Sequence, residues 1–197
     1  MTMTDTTSSD NPAIRNGVDT AAFFATLDAV KGNHDIADFQ WRVSNTWVAG
    51  THNRSTVHGF YGATQEMAHA TPFELDADHP GVLVGEDHAP TPVEYVLHAL
   101  AACLTAGIAN IAAARNVKLT KVTSTIEGDM DLLGILGLAD DTSGPVRNGF
   151  QQIRVRFQLE GDEPEKLRKV VEQSQKRSAV YDVITNGVPV SIDVETP

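Results

Sequence analysis

The chain contains one cysteine, Cys103, and this thiol is the side chain best suited to nucleophilic or redox chemistry. The thiolate is the reactive form, and its surroundings decide how readily it forms. Cys103 lies within the longest apolar stretch of the sequence, residues 91–115. Apolar surroundings make a thiol inert, whereas a nearby cation activates it. Two interpretations are therefore open: a reactive thiol, or a small apolar side chain within a core helix.

Two histidines stand in the loop that precedes this stretch, His79 and His88. A protonated imidazole beside a thiol would lower the pKa of that thiol. The alternative is that both are solvent-facing loop residues. The chain has seven histidines, but none shows the i, i+4 helical pairing or the Cys/His clustering of zinc sites. The sequence therefore predicts no metal site, and we expect no cofactor.

The apolar stretch around Cys103 has the features of a helix. Thr91 is a good N-cap, and Pro92 suits the first helical position. Glu94 in the first turn complements the helix dipole. Because the stretch is apolar almost all round, the pattern predicts a buried helix. Polar residues interrupt it and argue against a membrane span; they are Glu94, His98, Thr105 and Asn110.

Composition limits the classes of function. The chain has 197 residues, 41% of them hydrophobic, which is enough for a folded core. Its net charge of −11 argues against nucleic acid or an anionic membrane as partner. A single cysteine excludes an internal disulfide. No N-terminal stretch resembles a signal peptide, so we expect a cytoplasmic protein.

Polar composition and periodicity divide the chain into three parts. Residues 1–18 are predicted to be a flexible tail, residues 19–36 an N-terminal helical extension, and residues 37–197 a single domain. Asp19 is predicted to cap the extension's helix, which runs to about Lys31.

Within the domain the pattern alternates between strands and helices. Three strands are expected at 39–47, 55–61 and 70–75, with a turn at 50–54 and a loop at 76–92. After the central helix we expect further elements: strand 118–131, a flexible excursion at 132–148, strand 150–160, helices 163–176 and 178–185, and strand 188–194. This order predicts an α+β fold, with helices on one face of a mainly antiparallel sheet.

Several separated motifs resemble those of the OsmC/Ohr family. Residues 92–104 (PVEYVLHALAACL) are similar to its central-helix signature. FELDADHP at 73–80, followed by GED at 85–87, resembles one branch of the family. SAVYDVI at 178–184 and VPVSI at 188–192 resemble its C-terminal helix and strand. The motifs occur in the family's order, and the resemblance covers about residues 38–197.

The resemblance implies an intertwined homodimer with two helices buried between sheets and two sites at the subunit interface. It also implies a thiol peroxidase that reduces organic hydroperoxides through a cysteine on the central helix, which is Cys103 here. A second cysteine usually resolves the sulfenic acid, but Ser178 stands at that position. An external thiol would then have to act as reductant. The family alone assigns Tyr181 to the pocket that faces Cys103.

The resemblance also implies an activating arginine and glutamate. Arg54, expected in the turn between the first two strands, matches the position of the arginine in one branch of the family. Another branch places the arginine in the loop before the helix, but residues 72–92 contain none. The family's glutamate directly follows the proline, where this chain has Val93, and Glu94 comes one residue later. At about 100° per residue, Glu94 lies roughly 180° around the helix from Cys103. Glu94 is thus either a displaced catalytic group or a helix N-terminal charge.

Two functions follow from these residues. The first is a single-cysteine peroxidase for organic hydroperoxides, in which Arg54, with His79 or His88, stabilises the thiolate of Cys103. The second is a catalytically decayed dimer that binds a small apolar ligand, with Cys103 lining the pocket. The reactivity of Cys103 at neutral pH distinguishes the two.

Overall fold

A computed structural model describes residues 13–139 and 146–196. It has an α+β architecture with antiparallel strands, as predicted. The strands are β1 Ile14–Arg15, β2 Val18–Asp19, β3 Gln40–Trp41, β4 Ser44–Ala49, β5 His52–Gly62, β6 Gln65–Ala77, β7 Leu119–Asp129 and β8 Gln152–Gly161. The helices are α1 Thr20–Gly32, α2 Pro92–Ala114, α3 Leu132–Ile135, α4 Pro164–Arg177 and α5 Ala179–Thr185.

The chain divides into two compact units. The first contains residues up to 90 together with 112–118, and the second contains 91–111 together with the residues from 119 onward. The proposed division at residues 18 and 36 stays a prediction.

The N-terminal helix α1 begins where its cap predicts. The Asp19 carboxylate accepts a hydrogen bond of 3.0 Å from the Ala22 N–H. Residues 1–12 of the predicted tail lie outside the described residues. Residues 13–18 correct that prediction, because β1 and β2 pair across Asn16–Gly17, both with positive φ. An Asn-Gly pair favours this two-residue hairpin turn.

The sheet of the first unit is built around β5, which pairs antiparallel with β3, β4 and β6. The strand predicted at 39–47 is wrong as one element, because it breaks at residues 42 and 43 into β3 and β4. The turn predicted at 50–54 is too long: the chain turns at Gly50–Thr51, within the predicted range, but Arg54 lies inside β5, paired with Thr46 and Asp76. Sequence periodicity predicts which face of a sheet a side chain lies on, but it does not predict where the pairing between two strands begins or is interrupted. This explains both errors.

The central helix α2 begins as predicted at Pro92, but only one stripe of it is buried. Leu100, Leu104 and Ile108 are at most 4% exposed. The face that carries His98, Ala102 and Ala106 is exposed. The prediction of burial all round is therefore wrong for the single chain. By length and composition α2 could cross a membrane, yet the core helix of a soluble protein passes the same test.

The rest of the second unit follows the prediction up to residue 186. Strands β7 and β8 form an antiparallel hairpin. Within the predicted excursion residues 132–135 form the short helix α3, and 140–145 lie outside the described residues. Helix α4 buries Leu167 and Val170.

The strand predicted at 188–194 is not formed. Residues 187–196 take no regular structure, and no strand among the described residues pairs with them. A strand needs a neighbour for its backbone groups, and alternation in the sequence does not provide one.

Candidate functional site

Cys103 is half-buried on α2 and is hydrogen-bonded to Ser178. The Ser178 hydroxyl donates to the Cys103 sulfur at 3.1 Å and accepts from the Tyr181 N–H at 3.1 Å. Ser178 is 6% exposed, so little water competes for these bonds. Of the predicted site residues, the structure thus brings three together: Cys103, Ser178 and Tyr181.

Close packing of α4 against α2 sets this geometry. The Ser174 hydroxyl, 1% exposed, donates to the Leu104 carbonyl at 2.7 Å. A Cβ at Gly107 would lie 2.3 Å from the Ser174 oxygen, so only glycine permits this approach. Ser178 follows Ser174 by four residues, and Gly107 follows Cys103 by four. The contact between α2 and α4 therefore continues from the Gly107–Ser174 pair to the Cys103–Ser178 pair. Sequence reasoning missed Ser174 and Gly107, although a glycine inside a helix was an available signal.

A pocket of about 320 Å³ lies in the second unit, and among the described residues Tyr181 is the one member of the group Cys103, Ser178 and Tyr181 that lines it. Helix α2 contributes Val96 and Leu100, which precede Cys103 by about two turns and one turn, and α5 contributes Tyr181. The remaining lining residues are Arg147, Phe150, Gln151, Gln152, Ile153, Val155, Ile184 and Thr185. Six of these eleven described residues are apolar, and Arg147 is the only charged residue among them. Sequence reasoning missed Arg147, because nothing in the pattern joins residues 96, 147 and 181.

Glu94 is engaged at the start of α2. Its carboxylate accepts a hydrogen bond of 2.8 Å from the Thr91 N–H, and the Thr91 hydroxyl accepts from the Glu94 N–H at 3.4 Å. This reciprocal pair is a capping box. The capping role predicted for Thr91 is confirmed, and the catalytic role of Glu94 stays a prediction.

Arg54 lies in the first unit, where it forms a two-pronged ion pair with Asp76. The two nitrogen–oxygen distances are 2.9 and 3.1 Å. The hydrogen bond from Arg54, joined by one of 2.9 Å from His52, lowers the pKa of Asp76. The same hydrogen bond raises the pKa of Arg54, which stays positively charged.

The loop before α2 is organised by Asp78, which is 1% exposed. Its carboxylate accepts from the Thr51 hydroxyl at 2.6 Å, the His79 N–H at 2.8 Å, and the Glu86 and His88 N–H groups at 3.2 Å. The Thr51 hydrogen bond, followed by those from His88 and His79, holds the pKa of Asp78 well below its usual range.

The two loop histidines differ in their surroundings. The His88 ring lies 3.1 Å from the Asp78 carboxylate and stacks on His52, whereas His79 is half-buried. These residues and Arg54 belong to the first unit, and Cys103 belongs to the second. The roles of Arg54, His79 and His88 toward the thiol stay predictions. Among residues 13–139 and 146–196, no three His, Cys, Asp or Glu side chains are grouped to hold a metal ion.

Comparisons with known proteins identify the fold. The structure resembles an OsmC-like protein from Mycoplasma pneumoniae, with a TM-score of 0.54 and 14% identity over 75% of this chain and 89% of that one. It also resembles an organic hydroperoxide resistance protein OsmC from Legionella pneumophila, with a TM-score of 0.50 and 16% identity over 74% and 90%. At these identities the likeness shows the fold alone. No curated protein matches the sequence.

The sequence itself matches one family model, described as OsmC-like protein, over residues 85–193. This range covers more than half of the chain and includes α2 with Cys103, both strands of the β7–β8 hairpin, α4 and α5. It also includes Ser178 and the described residues that line the pocket. The chain belongs to the OsmC-like protein family.

Proposed function

We propose that this protein is a single-cysteine thiol peroxidase that reduces organic hydroperoxides. The observation that carries the proposal is the Cys103 sulfur, held 3.1 Å from the Ser178 hydroxyl, about one turn along α2 from the pocket residue Leu100. A structurally similar protein, from Legionella pneumophila, is named an organic hydroperoxide resistance protein.

The first half of the reaction uses the thiolate. The Cys103 sulfur attacks one oxygen of the hydroperoxide, the O–O bond breaks, and the alkoxide leaves and takes a proton to become the alcohol. The sulfur keeps the transferred hydroxyl as a sulfenic acid. The Ser178 hydroxyl supports this step by donating a hydrogen bond to the negatively charged sulfur. The apolar wall of the pocket favours an organic hydroperoxide over hydrogen peroxide.

The second half needs an external thiol, because the chain has no other cysteine. That thiol attacks the sulfenic sulfur and water leaves, which gives a mixed disulfide. A second thiol then releases Cys103 and carries the disulfide away. In this scheme Arg54, with His79 or His88, stabilises the thiolate, and Glu94 is a further candidate.

A direct test is the rate of cumene hydroperoxide reduction with dithiothreitol as reductant. We expect turnover by the native protein, none by Cys103→Ser, and a rate lowered about tenfold in Ser178→Ala, because a hydrogen bond to a charged group contributes about 1.5–3 kcal/mol. Ser124→Ala, on β7 and outside the site, is the matched control. Native protein without turnover, whose thiol alkylates only after denaturation, would contradict the proposal.

A second candidate is a binding protein without catalysis, favoured by the serine at the resolving position. The pocket would then hold a small apolar ligand, and Cys103 would serve only as an apolar side chain. The alkylation measurement separates the two functions. A Cys103 that reacts at neutral pH in the folded protein excludes the second.

We further propose that the protein is a cytoplasmic homodimer. The homodimer is supported by apolar surface that the single chain leaves uncovered. On α2, Val93 and Val96 are 36% and 39% exposed. In the C-terminal segment 188–194, Val190 and Ile192 are 79% and 84% exposed. Exposed apolar surface of this extent is typical of a protein interface.

A further inference from the structure

The pocket of the second unit has an uneven distribution of charge. Among the described residues its lining includes one cation, Arg147, and neither aspartate nor glutamate. The whole chain carries a net charge of −11. The described part of the wall is therefore positively charged, although the molecule as a whole is acidic.

The arginines of this chain divide by whether they form an ion pair. Arg42, Arg54, Arg154 and Arg168 each pair with a carboxylate. Among the described residues no ion pair is formed by Arg15, Arg115, Arg156 or Arg177. Within the described residues, Arg147 forms no ion pair at 4 Å or less. Its guanidinium is thus available to a ligand, and guanidinium geometry suits a carboxylate, which it binds through two parallel hydrogen bonds.

Of the other ten described lining residues, six are apolar and suit a hydrocarbon chain, and four are polar: Gln151, Gln152, Tyr181 and Thr185. Apolar side chains line the pocket from three elements: α2, the segment 150–155 and α5. These side chains are Val96, Leu100, Phe150, Ile153, Val155 and Ile184. The volume of about 320 Å³ lies near the lower end of the range of about 300–1,000 Å³ for ligand pockets, which favours one short chain over a two-chain lipid.

We propose that this pocket binds a medium-chain carboxylate, with the carboxylate on Arg147 and the chain along the apolar wall. As a statement about the substrate it rests on the proposed function: the preferred hydroperoxide would carry a carboxylate. As a statement about binding it stands independently of turnover.

The test is calorimetric titration of the full-length native protein with octanoate, octanol and octylamine. We expect octanoate to bind at least about tenfold more tightly than octanol, which corresponds to about 1.4 kcal/mol, and octylamine to bind more weakly than both. Arg147→Gln should remove the preference for octanoate, and Arg147→Lys should restore part of it. Arg156→Gln is the matched control, because Arg156 lies on β8 but not in the pocket.

Three outcomes would overturn the inference: octanoate that fails to bind, octanol that binds as tightly as octanoate, or Arg156→Gln that weakens octanoate binding as much as Arg147→Gln. An octyl phosphate titration distinguishes carboxylate recognition from binding of any anion, and tighter binding of the phosphate would overturn the carboxylate assignment. Octanoate binding by a protein that does not turn over cumene hydroperoxide would reject the proposed function and keep this inference. Turnover of cumene hydroperoxide by a protein that shows no preference for octanoate would keep the proposed function and reject this inference.

Discussion

At the scale of single residues, the hydroxyl at position 178 decides what happens to an oxidised Cys103. The oxygen and the sulfur lie 3.1 Å apart, whereas a disulfide requires about 2.05 Å between sulfur atoms. A thiol at this position would lie in direct contact with the Cys103 sulfur. Because position 178 is a serine, an oxidised Cys103 depends on an external thiol for its reduction. With a cysteine at this position the chain could reduce it by forming an internal disulfide.

Ser178→Cys should consequently form a disulfide with Cys103. We expect cumene hydroperoxide to remove both free thiols of this variant, measured by thiol titration and by the mass of the intact chain. Ser124→Cys, on β7, should keep its added thiol. If diamide forms the bond but the hydroperoxide does not, the geometry is right and the peroxidase proposal is wrong. If neither reagent forms it, the contact between positions 103 and 178 is wrong.

Asp78 gives the stability of the protein a predictable dependence on pH. Its folded pKa lies below the unfolded value of about 3.9, so its stabilisation is complete above that value and is lost progressively as the pH falls from there through the lower folded pKa. Asp78→Asn should lower Tm at pH 7 by roughly 5 °C or more, because an amide group replaces one acceptor oxygen by a donor facing N–H groups.

Calorimetry between pH 7 and pH 3 measures both effects. Between pH 5 and 3 the Tm of Asp78→Asn should fall less than that of the native protein, with the remaining fall due to Asp76 and Asp129, whose pKa values are also lowered. Asp28→Asn, an exposed control, should follow the native curve. Equal slopes for the native protein and Asp78→Asn would contradict the role given to Asp78.

At the scale of elements, the contact between α2 and α4 depends on Gly107. Alanine is a better helix former than glycine by about 1 kcal/mol, so substitution in an open helix would stabilise. At position 107 the new methyl would lie 2.3 Å from the Ser174 oxygen, which is buried and bonded to Leu104. We expect the clash to outweigh the propensity and Gly107→Ala to destabilise by about 1–3 kcal/mol in urea unfolding.

Two comparisons make this prediction sharp. Gly32→Ala, at the end of α1 where nothing lies within 4 Å of the new methyl, should be neutral or slightly stabilising. Adding Ser174→Ala to Gly107→Ala should recover part of the loss, since the nearest remaining side-chain atom lies at 3.3 Å. A Gly107→Ala variant as stable as the native protein would mean that the helices do not approach this closely.

The elements also show what a sequence can predict. Helix α2 and helix α5 were found because Thr91, Pro92 and Ser178 act locally, through hydrogen bonds and dihedral angles within a few residues. The β7–β8 hairpin was found because alternation marks a half-buried strand. The break between β3 and β4 was missed, because strand pairing depends on residues that are distant in sequence.

The candidate site divides in the same way. Cys103 and Ser178 were identified by motif, and the structure places them in contact. The pocket residue Arg147 and the helix contact at Gly107 depend on packing between segments that no local pattern connects. The hydrogen bonds that the Asp78 carboxylate accepts were not predicted for the same reason. Asp78 itself lies within a motif that resembles the family.

At the scale of the whole molecule, the C-terminal segment is the clearest sign of a missing neighbour. Val188, Val190, Ile192 and Val194 alternate with polar residues and are 53–84% exposed. This is the pattern of a strand with one apolar face, yet the described residues include no strand that pairs with it. A second copy of the chain would supply both a ladder of hydrogen bonds and cover for the apolar face.

We therefore expect light scattering after size exclusion to give twice the mass of one chain, and Val190→Asp combined with Ile192→Asp to shift the protein toward the monomer. Burying two carboxylates without partners is costly, whereas the same charges on a free surface are harmless. Asp193→Asn, between the two positions and on the polar side of the alternation, should leave the dimer intact. A native protein that is monomeric at micromolar concentration would contradict the homodimer. A dimer that persists in the double variant would place its interface elsewhere, with the exposed face of α2 as the next surface to change.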